Sequence, residues 1–212
     1  MSTLRLILVL LCLALTAACV PTPKRNGAAD VFQLGISNTA TPGYAVLEAT
    51  LSIARPSAQA GYDSRAIVYS STPYRLNHYR NSRWVDTPAR MIESALAAGF
   101  ERSGLFQAVL RGGSGQVGTY RLNTEIVQLR QVFQEGSSSS LELSLHVQLS
   151  ERGAGGLAAS KLIQISVPAP SEDAQGAVHA ANAALEKAVL ETVAFVADTL
   201  GATAVGAQSS QG

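Results

Sequence analysis

The first 19 residues constrain the rest of the chain more than any other stretch. Arg5 precedes an apolar run over residues 6–15, which ends in small residues and Cys19. A charged start, an apolar run and a small-residue end are the three parts of an export signal. The last five residues, Leu15-Thr16-Ala17-Ala18-Cys19, are typical of a bacterial lipobox, whose cysteine receives a diacylglyceryl group before the chain is cut in front of it. The sequence therefore predicts a signal peptide over residues 1–18, and covalent diacylglycerol and N-acyl lipid (palmitate-type chains) on Cys19.

Two other interpretations of this stretch compete with the lipobox. A transmembrane helix needs about 20 apolar residues, and the run up to Cys19 is shorter and has no charged flank after it. An ordinary signal peptide, cleaved without lipidation, also ends in small residues and stays an alternative.

Cysteine content decides how the rest of the chain must be stabilised. The chain has two cysteines, Cys12 inside the predicted signal and Cys19 at the predicted anchor. The exported domain would then have no disulfide and no cysteine metal site, so it must fold on its apolar core alone. The formal net charge is +1 and only 15% of residues are charged, which argues against a nucleic-acid partner.

Composition divides the chain into four parts. Pro, Thr, Asn and Gly dominate residues 19–43, which predicts a lipidated N-terminus and flexible tether, in which residues 31–36 are an apolar patch that could add a strand. Residues 44–200 are the predicted domain, and the small, polar residues 201–212 the predicted disordered tail. The size of the domain suits a single apolar core.

Several segments alternate in the manner of β-strands. Leu47, Ala49, Leu51 and Ile53 share one parity, so they are expected to face the core. In residues 120–133 the apolar parity changes, which predicts a β-bulge near Ile126. The glycine-rich residues 111–118 lack the spacing of a phosphate-binding loop and are predicted to be a mobile hairpin loop. The other predicted strands are residues 64–70 and 75–79, which form a hairpin, and residues 105–110, 141–149 and 161–167.

Two segments have helical spacing. Thr87 and Pro88 are a helix start, and Gly104 is a helix end. Ser171-Glu172-Asp173 starts a second helix that reaches Leu200. The predicted fold is α/β (α+β), a single domain with a mixed, mostly antiparallel sheet covered by two main helices. The apolar stripes are Ile92, Ala95, Leu96 and Phe100, with a second-face contact by Met91, and then Val178, Ala181, Leu185, Val189, Thr192 and Val196.

Catalytic and metal-binding patterns are missing from the sequence. His78, His146 and His179 do not have the spacing of a helical zinc site, so solvated histidines are the simpler interpretation. Gly113-Ser114-Gly115 lacks the flanking glycine spacing of a serine-nucleophile motif. We therefore predict no catalytic residues, no metal and no cofactor other than the lipid on Cys19.

Tyr79, Arg83 and Trp84 form a cluster of residue types that dominate protein interfaces. One hypothesis places all three at a surface for a partner or for self-association. The alternative is that the lone tryptophan fixes a loop to the core, which is the commoner role for such a residue.

Four blocks of the sequence resemble the family of auxiliary lipoprotein components of ABC-type transport systems that work with MCE-domain proteins. The longest block is Tyr79-Arg80-Asn81-Ser82-Arg83-Trp84-Val85-Asp86-Thr87-Pro88-Ala89-Arg90-Met91. The others are Ala54-Arg55-Pro56, Gly61-Tyr62-Asp63-Ser64-Arg65-Ala66-Ile67-Val68-Tyr69 and Val167-Pro168-Ala169-Pro170-Ser171.

This resemblance implies a function, a location and partners. The implied protein is a non-enzymatic lipoprotein, anchored in the outer membrane and facing the periplasm, that serves lipid transport between the two membranes. Its implied partner is the MCE-domain substrate-binding protein of an inner-membrane ABC transporter, and association with further copies of itself stays open. Val20 after the anchor cysteine, where aspartate would signal retention, agrees with outer-membrane sorting. A structural or assembly-factor envelope lipoprotein unrelated to lipid transport is the alternative.

Overall fold

One nine-stranded sheet and two helices make up the fold. The computed structural model describes residues 28–37, 42–112, 117–134, 138–153 and 156–205. The helices are α1 (Pro88–Ser103) and α2 (Ala174–Thr199). The strands are β1 (Asp30–Phe32), β2 (Leu47–Ile53), β3 (Ser57–Ala58), β4 (Ala66–Ser70), β5 (Asn77–Trp84), β6 (Phe106–Arg111), β7 (Tyr120–Gln134), β8 (Ser138–Glu151) and β9 (Gly156–Pro168). The predicted fold class, a mixed sheet with two helices, is confirmed.

The long strand β7 organises the sheet. Along one edge it pairs with β8, which pairs in turn with β9, and both pairings are antiparallel. Along its other edge β7 meets three short strands in succession, β2, β3 and β4, each parallel to it. The sheet extends from β2 to β6, and from β4 through β5 to β1. The register shift between Ile126 and Gln128 confirms the predicted bulge.

Both helices cover one face of this sheet and contact each other. α2 packs on β8 and β9, and α1 packs on β6. A Cβ on Gly99 of α1 would lie closer to the Cγ1 of Val189 than heavy atoms can approach, so the absence of a side chain there allows the helices to approach. The core therefore lies between the helices and the face of β8 that carries its buried apolar residues, which are Leu141, Leu143, Leu145, Val147 and Leu149.

The ends of both helices agree well with the sequence. α1 begins at Pro88 and is followed by Gly104 with φ 63°, a left-handed conformation that glycine adopts without strain. Thr87 makes no side-chain cap; the adjacent Asp86 Oδ1 accepts the Thr87 N–H at 2.7 Å. Asp173 caps α2 by accepting the Gly176 N–H at 2.8 Å. The predicted stripe of α2 is buried from Val178 to Val196.

The domain begins before Tyr44, which corrects the predicted tether of residues 19–43. β1 pairs with β5, the Leu34 side chain is 2% exposed, and the Gly35 N–H donates to Asn182 Oδ1 of α2 at 2.7 Å. The apolar contacts of residues 31–36 hold this segment on the domain, although the residues around it are mostly polar. At the other end, the Ala45 N–H donates to the Thr203 carbonyl, so the predicted tail is tied to the domain in this part, and residues 206–212 lie outside the described residues.

The connection between β6 and β7 also differs from the prediction. Both strands run parallel to β2, one on each side of it. A hairpin loop joins antiparallel neighbours, so this interpretation of residues 111–118 is wrong, and the segment is a crossover. Residues 113–116 lie outside the described residues.

Candidate functional site

Of the predicted site residues, Trp84 is placed differently from the interface hypothesis. Its side chain is 2% exposed and belongs to the apolar core. Its backbone is fixed on both sides, since the Trp84 N–H donates to the Arg65 carbonyl at 2.8 Å and Arg65 Nε donates to the Trp84 carbonyl at 3.0 Å. A ring that is buried in this way cannot contact a partner of the folded domain. The structure therefore corrects the surface role of Trp84 and favours the role of fixing the chain to the core.

Tyr79 lies in a polar network that joins β5, β7 and the start of α2. Its hydroxyl donates to Gln131 Oε1 at 2.6 Å. The Gln131 side chain is fully buried, and its Nε2 donates to Ser139 Oγ at 2.7 Å and to the Ser171 carbonyl at 3.1 Å. Burial raises the pKa of the Tyr79 hydroxyl to about 12, and the nearby charge of Asp173 adds to the shift. The hydroxyl of Tyr79 therefore has a structural role, since its hydrogen bond links β5 to β7 and, through Gln131, to the start of α2.

Arg83 is the exposed member of the predicted cluster. It lies between β1 and β4 in the sheet, with Val31 and Ala66 as its register partners. The interface roles of Arg83 and Tyr79 stay predictions. Cys19 lies outside the described residues, so its lipidation stays a prediction as well.

The most chemically distinctive feature of the described surface is a cleft of about 640 Å³ beside α1. One wall is residues 33–36, which follow β1, and another is the side of α1 that carries Arg90, Ser94 and Arg102. Leu34, Ile36 and Met91 give it an apolar lining, and the Leu34 N–H donates to the Met91 sulfur at 3.3 Å. We call this feature the arginine cleft, because its lining also includes Arg55, Arg90, Arg102 and Arg111.

Two carboxylates in the lining hold arginines in place. Glu93 is buried, and its Oε2 accepts from Arg55 Nε at 3.3 Å. Asp86 Oδ2 accepts from Arg90 Nη1 at 3.4 Å. The pKa of Asp86 is lowered, first by its hydrogen bond from the Thr87 N–H and then by the charge of Arg90. Both carboxylates therefore orient guanidinium groups that face the cleft.

Arg55 and Arg90 have N–H donors beyond the ones used in these two contacts. A guanidinium carries five N–H donors, and the pairs of Arg55 and Arg90 each use one nitrogen. Arg111 Nη2 lies 3.9 Å from Glu101 Oε1, which is an ion pair without a close hydrogen bond. Guanidinium groups bind carboxylates and phosphates through two parallel hydrogen bonds. The arginine cleft can therefore bind an anionic group whose apolar part contacts Ile36 and Val85, the more exposed apolar residues of the lining.

Sequence reasoning missed the arginine cleft because its charges come from distant segments. Arg55 follows β2, Arg90 and Arg102 lie on α1, and Arg111 ends β6. The one available signal was Met91, which was expected to make a contact outside the main stripe of α1. Among the described residues, no group of three His, Cys, Asp or Glu side chains is placed to hold a metal. In the same part of the chain, no helix has the length and apolarity to cross a membrane.

Solved structures share this fold. The protein XCC0632 from Xanthomonas campestris matches with a TM-score of 0.75 and 24% identity, over 82% of this chain and 97% of that one. The hypothetical protein CT253 from Chlamydia trachomatis matches with a TM-score of 0.50 and 9% identity, over 71% of this chain and 96% of that one. At these identities the matches show a common fold alone.

Sequence comparison gives the family. No curated protein matches the chain significantly. The family model described as ABC-type transport auxiliary lipoprotein component matches residues 32–193. This range includes most of α2 and every strand of the sheet, apart from the start of β1. The chain therefore belongs to the family of ABC-type transport auxiliary lipoprotein components.

Proposed function

We propose that this chain is the outer-membrane lipoprotein of an MCE-type ABC lipid transport system, in which it faces the periplasm and receives the MCE-domain substrate-binding protein. The observation that carries the proposal is the family match over residues 32–193. Two sequence features support the location: the lipobox-like Leu15-Thr16-Ala17-Ala18-Cys19 and the absence of aspartate after Cys19. The chain contributes attachment and docking, without a reaction of its own.

The arginine cleft is the proposed docking site for this partner. Arg55 belongs to one of the blocks that resemble the family, and Val85, Asp86, Arg90 and Met91 belong to another. These blocks are separated in the chain, and the fold brings them to one cleft. Charged side chains at such a rim steer association and fix its orientation, while the apolar floor supplies contact area. An acidic segment with an apolar residue is the chemistry that fits this site.

Affinity purification of the full-length chain tests the proposed partner. The tagged chain is extracted from its own membranes with detergent, and the proteins that copurify are identified by mass spectrometry. We expect an MCE-domain protein and its ABC transporter. Recovery of outer-membrane assembly proteins in their place would support the structural lipoprotein instead and refute the transport role.

A charge-reversed cleft tests the docking site separately. In the double variant Arg90→Glu/Arg111→Glu we expect recovery of the partner to fall at least about tenfold, since rim charges of one sign are replaced by the other. Arg121→Glu/Arg152→Glu is the matched control, because both arginines are exposed and away from the cleft lining, and the net charge changes by the same amount. Equal losses in the two variants would show a nonspecific effect of charge and would rule out the cleft as the docking site.

Replacement of the anchor cysteine tests the location. Two or three acyl chains, at about 0.8 kcal/mol per buried CH₂, hold a protein on a membrane far more firmly than one chain. We expect the wild type to fractionate with outer membranes and Cys19→Ser to be released from them. A variant that stays on the membrane, beside a wild type that a fatty-acid probe does not label, would contradict the predicted lipidation.

A further inference from the structure

The tip of the β4–β5 hairpin, residues 71–76, exposes the whole Tyr74 side chain and the part of Leu76 that does not lie over Gly61. The Tyr74 side chain is fully exposed, and Leu76 is 42% exposed. Tyr74 has φ 63°, and among the described residues it is the one residue other than glycine with a positive φ. The left-handed conformation is unfavourable for a residue with a Cβ. A strained backbone that presents an aromatic ring to solvent points to a function for the ring.

The direction of β1 indicates at which end of the sheet the chain enters the domain. β1 runs parallel to β5, with Asp30 beside Ser82 and Phe32 beside Trp84. The amino end of β1 is therefore directed towards the start of β5 at Asn77 and the hairpin tip beyond it. Residues before Asp30 connect the domain to Cys19, and the described chain enters the sheet from the end that carries Tyr74.

The lengths agree with contact between this tip and a membrane. From Ser82 back to Asn77, β5 covers about 17 Å at 3.4 Å per residue. The chain from Cys19 to Asp30 can span at most about 35 Å when fully extended. The attachment is therefore long enough for the tip to reach the surface that holds the lipid, and short enough to keep it nearby.

The residue types at the tip suit the interface of a bilayer. Tyrosine lies preferentially where hydrocarbon meets water, and Arg75 between Tyr74 and Leu76 can keep its charge among the headgroups while its stem covers apolar surface. Further along β5, Arg80 lines a cleft of about 380 Å³ together with Asp30, Glu172 and Asp173, so this end of the domain carries charges of both signs. The contact should therefore depend on the tyrosine and leucine more than on anionic headgroups.

We propose that residues 71–76 are a membrane-contacting tip, which places Tyr74 and Leu76 in the headgroup region of the bilayer that holds the lipid of Cys19. The proposal rests on the lipid anchor of the proposed function. Two side chains bind a membrane weakly on their own, but the anchor turns their contact into an intramolecular event at high effective concentration. The contact fixes which end of the domain faces the membrane and leaves the opposite end directed into the periplasm.

A single fluorescent reporter tests the proposal, since the mature lipidated chain has no other free thiol. The full-length variant Thr72→Cys carries a polarity-sensitive label at the exposed tip, and Leu157→Cys carries the same label at the other end of the sheet. Leu157 is 58% exposed and pairs with Ser150, whereas the tip lies beyond the end marked by Ser140 and its partner Val132. Ser140 and Ser150 are ten residues apart along β8, so the two labelled ends of the sheet are separated by about 34 Å.

The labelled, lipidated proteins are placed in phosphatidylcholine vesicles that contain a lipid-borne nitroxide quencher. We expect at least about twofold quenching at position 72 and none at position 157. In the labelled Thr72→Cys chain, Tyr74→Ser should abolish most of the quenching, and the control Leu157→Ser should leave it unchanged. Melting temperatures equal to that of the wild type establish that the variants are folded.

Three results would overturn the proposal. The first is equal quenching at both positions, and the second is quenching at position 72 that Tyr74→Ser does not change. The third is a label at position 72 that is shielded only at high protein density or by added partner, which would assign the tip to a second copy or to a protein. Labelling of the wild-type chain itself would show that Cys19 is unmodified, so that result would refute the anchor and the tip together, whereas an unlabelled wild type with an unquenched tip refutes the tip alone.

Discussion

The two ends of the β4–β5 hairpin contain aromatic residues with opposite environments. Trp84, at the end of β5, is 2% exposed, while Tyr74, ahead of its start, is fully exposed. Both belong to a segment rich in arginine and tyrosine, and residue type alone left Trp84 open between a surface role and a core role. The difference shows that the position of the strand within the sheet, and not the residue type, decides which aromatic side chain is available for contact.

The neighbours of each end explain the difference. The end of β5 is enclosed by β1 on one side and by β4 on the other, with Arg83 paired to both Val31 and Ala66. The segment before α1 continues directly from Trp84, whose ring belongs to the apolar core. At the tip, by contrast, no strand continues the sheet beyond Ser70 and Asn77 among the described residues. Tyr79 lies between these extremes, half-buried and hydrogen-bonded.

The largest expected effect is on Trp84. We expect Trp84→Ala to lower the free energy of unfolding by about 3–5 kcal/mol, because the variant leaves a large cavity in the core. The neighbouring Arg83→Ala should stay within about 0.5 kcal/mol of the wild type, since the side chain is exposed. Urea unfolding of both variants measures the difference. A Trp84→Ala chain as stable as Arg83→Ala would mean that the ring is not part of the core.

The contrast between these neighbours also shows what sequence could predict. Local signals predicted α1 to the residue, because Thr87-Pro88 and Gly104 act on the backbone next to them. The bulge at Ile126 was visible as a change of parity within one strand. These features depend on nearby residues, so the pattern of a single segment contains them.

Pairings between distant segments could not be predicted in the same way. The order of the sheet depends on β7 meeting three parallel strands, and nothing in the alternation of β2 or β4 indicates which edge it joins. The burial of Trp84 and of Leu34 follows from the pairing of β1 with β5, which joins residues about fifty positions apart in the chain. The arginine cleft has the same origin, since Arg55, Arg90 and Arg111 meet only once the sheet is formed.

A smaller effect is expected at Tyr79, between the two ends of β5. Tyr79→Phe removes the hydroxyl and leaves the buried Gln131 Oε1 without its donor at 2.6 Å. An unsatisfied buried acceptor costs about 1–3 kcal/mol, so we expect a loss of that size in urea unfolding. The ring itself remains packed 4.8 Å from Tyr69 between centroids. A loss as large as that of Trp84→Ala would show that the network, and not the ring packing, dominates this part of the hairpin.

The raised pKa of Tyr79 gives a pH test of the same network. The hydroxyl has a pKa of about 12 in the folded chain against a usual value of 10.0, so the unfolded chain releases the proton first. Stability is then fully present below pH 10 and falls as the pH rises from 10 towards 12. In Tyr79→Phe this part of the alkaline loss should be absent. Identical slopes of stability against pH in the two chains would contradict the burial and hydrogen bonding of the Tyr79 hydroxyl.

The smallest expected effect is at Tyr74, and it has the opposite sign. Tyr74→Ala removes an exposed ring and keeps the Cβ, so its stability should lie within about 0.5 kcal/mol of the wild type. Tyr74→Gly also removes the Cβ that makes φ 63° unfavourable, and relief of about 1–2 kcal/mol exceeds the added entropy of a glycine in the unfolded chain. We therefore expect the glycine variant to unfold at higher urea concentration than the alanine variant, by a difference of about 0.5–1 kcal/mol. Loss of stability in both variants, as in Trp84→Ala, would mean that the Tyr74 ring packs against the domain, and the two ends of the hairpin would no longer differ.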